Sequence, residues 1–150
     1  MYKLKKDTIK VCLDKITKSK QALLMQQNEI SNAIANETKS SAGDKFETSR
    51  EMMNQEKSKI AEQLIQQNYF ETQLKAIRLD KSLTEIDFGA FVSTDKGYFL
   101  IAAALGKIEN KDFTFFAISD EAPLFKAMKG KKENESFNFR NNSYKIEHIA

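Results

Sequence analysis

The first eighty residues place apolar side chains at the three-, four- and seven-residue spacings of an α-helix. They form two narrow stripes of the kind seen in coiled-coil seams, and neither stripe contains a proline or an internal glycine that would break a helix. The pattern predicts two helices of about 33 residues each, folded as an antiparallel hairpin with residues 36–48 at its tip. The first stripe consists of Ile9, Leu13, Ile16, Leu23, Ile30 and Ile34, and the second of Met53, Ile60, Leu64, Leu74 and Ile77.

Polar residues interrupt both stripes, at Lys20 and Gln27 in the first and at Gln67 in the second. Such interruptions weaken a seam but help to fix its register. A parallel dimer of one continuous helix is the competing arrangement. The series of small residues at 40–43, which ends in Gly43, favours a turn and therefore the hairpin.

Beyond residue 81 the pattern changes to alternating apolar and polar positions rich in phenylalanine. Turn signals at residues 95–97, 109–112 and 140–143 separate these blocks, which predicts antiparallel strands. One short helix is expected within residues 119–132, with Ser119 or Asp120 as N-cap, Pro123 in the first turn and Gly130 at the end. The predicted class is α+β, with a coiled-coil hairpin over residues 1–80 and a small β-sheet domain over residues 81–150.

Composition is that of a folded protein, because 41% of the 150 residues are hydrophobic and 30% are charged. No apolar run is long enough to cross a bilayer and the start of the chain lacks the apolar core of a secretory signal, so a cytoplasmic protein is expected. The single Cys12 and the single His148 offer neither a metal cluster nor a nucleophile with its base. Both are interpreted as packing or surface residues, and an autonomous enzyme is not expected.

Lysines crowd the first twenty residues against only Asp7 and Asp14, although the net charge of the chain is only +3. A basic stripe can follow a nucleic-acid backbone or an acidic protein surface, but it is also the usual composition of a solvated helix face. Only Tyr2 adds an aromatic ring, which argues against stacking on single-stranded nucleic acid. The lysines are Lys3, Lys5, Lys6, Lys10, Lys15, Lys18 and Lys20.

Two carboxylates, Asp44 and Glu47, stand three residues apart where the second helix is expected to begin. They suit a capping box at the positive end of the helix dipole, in which Asp44 accepts first-turn amides and Glu47 reaches back to the backbone of Asp44. The same pair can offer oxygen ligands to a cation. Two carboxylates alone make a poor Mg²⁺ site because Mg²⁺ prefers octahedral oxygen coordination, so the pair would be half of a site that a partner completes.

Lys45, Phe46 and Arg50 surround the acidic pair and are candidate partner-binding residues. Phe46 either packs back between the helices or anchors on a partner. Glu37 is a candidate third carboxylate, although a solvent-facing position near the end of the first helix is the simpler expectation.

The predicted hairpin, the tip motif "GDKFET" from Gly43 to Thr48 and the later stretch "ISDEAPLFKAMKGKKENESFNF" together resemble the bacterial Gre transcript-cleavage factors. In that family the tip typically reads close to GDLSEN, and the second domain, of FKBP-like fold, typically shows ISPxSPxxxALxGKxxGD. The glycine and both acids match, whereas Lys45, Phe46 and Thr48 replace the usual Leu, Ser and Asn. "KENES" at 132–136 lacks the usual Gly-Asp. The resemblance covers nearly the whole chain and depends on the order and spacing of its motifs together.

The resemblance implies a protein that binds RNA polymerase through its second domain and inserts its hairpin into the secondary channel. Asp44 and Glu47 would help to hold the second catalytic Mg²⁺, and the active site of the polymerase would hydrolyse the 3′ end of a backtracked transcript. The free protein would hold no metal or cofactor of its own. The expected partners are RNA polymerase and the nascent RNA 3′ end, with DNA as a further candidate contact in the complex. A monomer without a membrane partner is expected.

Two other interpretations stay open. A binding module of the same shape could occupy the channel and inhibit or modulate the polymerase without cleavage, which the lysine between the two acids favours. A coiled-coil chaperone or scaffold whose β domain mediates oligomerisation is the third interpretation.

Overall fold

Two long helices precede a six-stranded sheet and a short helix in the computed structural model of the chain. The structure describes the backbone of residues 1–40 and 44–150 and the side chains of residues 1–37 and 47–150. These elements confirm the predicted α+β class, with a helical hairpin followed by a sheet and one short helix. In chain order they are α1 (Tyr2–Ser40), α2 (Asp44–Lys75), β1 (Phe91–Thr94), β2 (Gly97–Ala102), β3 (Gly106–Glu109), β4 (Thr114–Ser119), α3 (Pro123–Met128), β5 (Ser136–Phe139) and β6 (Asn142–Ile149).

The hairpin seam follows the predicted apolar stripes. Ile16 in α1 and Ile60 in α2 are buried. The polar residues that interrupt the stripes, Lys20, Gln27 and Gln67, are half-buried and so lie within the seam. Apolar side chains at these spacings stay along one side of each helix, which lets two helices pack lengthwise.

The chain forms two compact units, and the boundary between them falls within the two long helices. Residues 15–69 form one compact unit, and residues 1–14 with 70–150 form the other. The ends of both helices therefore belong to the same unit as the sheet. In that unit α1 contributes the buried side chains of Ile9 and Cys12, α2 that of Leu74, and the segment just after α2 that of Ile77.

The sheet has the strand order β3-β4-β2-β1-β6-β5. Its neighbours pair in antiparallel fashion, as predicted, except that β2 and β4 run parallel with Tyr98 beside Phe115. The exception arises because β3 forms the edge of the sheet and the chain then returns as β4, which lies between β3 and β2. Since β4 is antiparallel to β3, it runs in the same direction as β2. Apolar alternation in the sequence sets which side of a strand is buried, but it does not encode which strand lies beside it.

Short turns join antiparallel neighbours at all three predicted positions, and the one between β3 and β4 spans residues 110–113. Asp95 and Lys96 connect β1 to β2, and Arg140 and Asn141 connect β5 to β6. Both residues of the second turn have positive φ, 48° for Arg140 and 64° for Asn141, as in the type I′ hairpins that match the twist of paired strands.

Both faces of the central strands are covered. One face forms a core in which the buried residues of the sheet pack with Phe125 and Met128 of α3. By strand alternation, Phe91, Leu100 and Phe115 point to the opposite face, and none of them has exposed surface. The sheet residues of the first core include Val92, Phe99, Ile101, Phe137, Ile146 and Ile149.

The short helix α3 begins later than its predicted cap. Pro123 is in the first turn, as predicted, but the N-cap is Ala122 and no side chain caps the helix, so Ser119 and Asp120 are not its caps. Ser119 instead ends β4, and its hydroxyl accepts a hydrogen bond from the amide of Glu121 at 3.3 Å. The predicted stop is confirmed, because Gly130 follows the C-cap with φ of +76° and donates its amide to the carbonyl of Ile86.

Gly89, in the segment before β1, lies beside Ile77, which follows the end of α2 by two residues. Its φ is +85°, and a Cβ added there would lie 3.3 Å from Cγ2 of Ile77. The amide of Gly89 donates to the carbonyl of Ile101 at 2.7 Å, which fixes the position of the backbone. Backbone conformation and close packing both favour glycine at this position.

Replacing Gly89 with alanine is expected to lower the free energy of unfolding by about 1–3 kcal/mol, because the new side chain adds backbone strain and crowds Ile77. Urea unfolding measures the loss. Gly106→Ala is the matched control, since Gly106 has φ of +75° but nothing within 4 Å of an added Cβ. Equal losses in the two variants would contradict the packing constraint from Ile77.

Candidate functional site

The predicted site residues fall at the start of α2, which begins at Asp44 as expected. Glu47 and Arg50 are exposed in the first two turns of this helix. The side chains of Asp44, Lys45 and Phe46 lie outside the described residues, although their backbone is helical. For the predicted acidic pair, the structure therefore describes the side chain of Glu47 but only the backbone of Asp44.

The backbone at the start of α2 favours negative charge at positions 44 and 47. Helical residues three apart are neighbours on the helix surface, so these positions share one side of α2. The first amides of a helix have no intrahelical partner and form the positive end of its dipole. Carboxylates at these positions are stabilised there without a ligand, and the capping hydrogen bonds themselves stay a prediction.

Glu37 contacts the second helix instead of simply facing solvent. The hydroxyl of Ser49 donates to Oε1 of Glu37 at 3.2 Å, and both residues are half-buried. This contact joins the last described turn of α1 to the second turn of α2. One carboxylate oxygen of Glu37 is thus engaged within the hairpin, which limits Glu37 as a third cation ligand.

A shallow surface cavity of about 440 Å³ runs along α2 from Glu47. All the described residues that line it have polar or charged side chains, and Glu51 stands one helical turn beyond Glu47 and is also exposed. Glu51 was not predicted as a site residue, although its four-residue spacing from Glu47 is a signal for it in the sequence. The cavity is lined by Glu47, Arg50, Glu51, Asn54, Gln55 and Ser58.

This polar surface offers carboxylate oxygens to a cation and a guanidinium to a carboxylate or phosphate. Arg50 makes no ion pair with any described side chain, so its charge is available. Among the side chains that the structure describes, no three or more His, Cys, Asp or Glu residues are grouped to hold a metal ion.

The other candidate residues lie apart from the tip. Cys12 is buried, whereas His148 is exposed with its Nδ1 4.0 Å from Oε1 of Glu133. The basic stripe of α1 is largely exposed, but Lys5 is only 2% exposed and does not belong to that surface. Within the described ranges, no helix has both the length and the apolar composition needed to cross a membrane.

Replacing Ser49 with alanine is expected to cost about 1 kcal/mol of unfolding free energy, because Glu37 loses a partly buried hydrogen bond. Ser58→Ala is the matched control, since Ser58 is an exposed serine of the same helix and reports the gain in helix propensity alone. Thermal unfolding in a double-mutant cycle with Glu37→Ala measures the coupling. Additive effects of Ser49→Ala and Glu37→Ala would show that this contact contributes nothing.

Comparison with known proteins identifies no relative of this chain. No protein-family model matches the chain, and no curated protein or solved structure is similar enough to count as a match.

Proposed function

We propose that this protein is a Gre-like transcription elongation factor that binds RNA polymerase in the secondary channel and stimulates cleavage of backtracked RNA. The observation that carries the proposal is the start of α2 at Asp44, with Glu47 exposed in the first turn of a helical hairpin. The tip motif and the later β domain with its single short helix support it, because they occur in the order expected for that family.

Asp44 and Glu47 are proposed as the Mg²⁺ ligands of this protein, and they act only when the polymerase completes the site. Glu47 presents its carboxylate to solvent and Asp44 precedes it by three helical positions, so the pair supplies at most part of an octahedral shell. The ion, once bound, would supply stabilisation of negative charge during phosphodiester hydrolysis. The role of the hairpin is to carry these oxygens to the polymerase active site and hold them there on a rigid helix.

The described surface of the hairpin favours a protein partner. Large apolar side chains are exposed along it, and exposed apolar surface is typical of protein–protein contacts. We therefore propose RNA polymerase as the primary partner, the nascent RNA 3′ end as the group that meets the tip, and a cytoplasmic monomer as the working form. The exposed side chains are Leu24, Met25, Met52, Ile65 and Tyr69.

A second candidate function is channel occupation that inhibits or modulates the polymerase without cleavage. The exposed Arg50, which forms no ion pair within the described part of the chain, favours it, because a cation three residues from Glu47 can neutralise the carboxylate or contact an acidic polymerase residue. Lys45 adds a further positive charge in the sequence of the tip. Both functions use the same hairpin, and they differ in whether the carboxylates recruit a metal ion.

The double variant Asp44→Asn plus Glu47→Gln is expected to reduce stimulated RNA cleavage about 100-fold while retaining polymerase binding, because amides keep the shape but remove the ligand charge. The assay follows 3′-end cleavage in a backtracked complex with the cognate polymerase and Mg²⁺. Asp14→Asn plus Glu56→Gln removes two exposed carboxylates elsewhere on the helices and serves as the control. A wild-type protein that binds the polymerase without stimulating cleavage would instead support the inhibitory function, and Lys45 and Arg50 would be substituted next.

The free protein is expected to bind Mg²⁺ with a Kd weaker than about 1 mM, because two carboxylates leave most of the octahedral shell to water. Isothermal titration calorimetry of the full chain measures this affinity. Micromolar binding in the absence of polymerase would contradict the shared site.

A further inference from the structure

A cavity of about 390 Å³ lies at the beginning of α1, within the compact unit that contains the sheet. Three chain segments form its wall: the first turn of α1, the stretch after α2 and the end of β6. The wall combines apolar side chains with amines and hydroxyls. Among its residues are Tyr2, Lys5, Leu79, Lys81, Ser82 and Ile149.

Lys5 contributes an uncompensated positive charge to this cavity. The residue is only 2% exposed, and its ammonium makes no ion pair or hydrogen bond with any described side chain. Burial lowers the pKa of Lys5 below the ordinary lysine value. Thr8, the other buried polar residue of this helix, is satisfied by its hydrogen bond to the carbonyl of Lys5 at 2.7 Å. A buried lysine is rarely left without a partner, so an anion bound beside Lys5 would stabilise its charge.

The surroundings of Lys5 add to the positive potential. The first turn of α1 contains no acidic residue, so its unpaired amides and the positive end of the dipole are not neutralised there. Lys81 brings a second amine to the wall. Asp80, the acidic side chain among the described residues that line the wall, is engaged by Arg78, which donates from Nη2 to Oδ2 at 2.7 Å and from Nε to Oδ1 at 3.2 Å. These hydrogen bonds lower the pKa of Asp80, so its carboxylate is paired with the guanidinium of Arg78.

We propose that this cavity binds a small organic anion, whose acid group pairs with Lys5 and the first amides of α1 and whose apolar part contacts Tyr2, Leu79 and Ile149. The volume lies within the range of about 300–1,000 Å³ that is usual for ligand cavities. Helix N-termini and lysines are the ordinary protein ligands of carboxylates and phosphates. The site uses none of the residues at the hairpin tip, so it stands independently of the function proposed for them.

The test uses the full chain and compares benzoate, phenyl phosphate and inorganic phosphate by calorimetry and thermal unfolding. Benzoate and phenyl phosphate are expected to bind and to raise the Tm with concentration. Phenyl phosphate is expected to bind more tightly than inorganic phosphate, because only it fills the apolar part of the cavity. Lys5→Met should weaken binding by about tenfold or more through loss of the charge-assisted contact. Lys10→Met, at an exposed lysine of the same helix, should bind like the wild type.

Lys5→Met is expected to fold, because methionine keeps the apolar stem and removes only the desolvated charge. Without added anion its Tm should exceed that of the wild type. The difference should shrink as the pH rises towards 10.5, because a lysine whose folded pKa is lowered destabilises the native state only while it is protonated in the unfolded chain. The other titratable side chains that line the cavity, Tyr2, Asp80 and Lys81, are present in both proteins and cancel to first order in this comparison.

A measurement on the wild type alone keeps the proposal testable if the variant does not fold. In protein labelled with ¹³C-lysine, benzoate should shift the Lys5 side-chain resonance more than that of Lys10. The absence of binding at millimolar benzoate or phenyl phosphate would overturn the proposal, as would equal binding by the Lys5→Met variant. Inorganic phosphate that bound as tightly as phenyl phosphate would overturn the assignment of an organic anion.

Discussion

Burial of the central strand β1 on both faces is the constraint on which the sheet-containing unit depends. All four of its residues are buried, so a sheet of this size needs cover on each side. The helix α3 contributes Phe125 and Met128 to one core. The second face is buried as well, and the ends of α1 and α2 belong to the same compact unit. A β domain of about 70 residues is near the lower limit for an independent core, so helix ends that pack within the unit enlarge the apolar surface it can bury.

The same helices serve a different purpose over residues 15–69, where a narrow seam joins them. Lys20, Gln27 and Gln67 lie half-buried within that seam, and large apolar side chains such as Met25 and Ile65 are exposed outside it. In this part of the hairpin, contacts between the two helices leave several large apolar side chains exposed. Exposed apolar side chains of this kind are typical of surfaces that contact other proteins.

The two long helices begin in opposite electrostatic surroundings, and this contrast connects the two proposed sites. The first turn of α2 contains Asp44 and Glu47, and acidic residues are favoured at the positive end of a helix dipole. The first turn of α1 contains no acid and is followed by the buried Lys5. Helix starts with opposite charge favour ligands of opposite charge. In the two proposals, a cation at the start of α2 would need a partner to complete its site, whereas an anion at the start of α1 would bind in a cavity formed by this chain alone.

Much of this architecture was determined by the sequence alone, because the relevant signals are local. Periodicity predicted both helices, Gly43 and Asp44 marked the start of α2, and the turn at Arg140 and Asn141 needed only residues that tolerate positive φ. The predicted residues Glu47 and Arg50 are exposed in the first two turns of that helix. Tertiary structure decided the parallel pairing of β2 with β4, the late start of α3 after Ser119, the packing of Ile77 against Gly89 and the burial of Lys5 within a lysine-rich stripe. Each of these depends on which distant segments meet, and a pattern read along the chain carries no information about partners that are brought together only by folding.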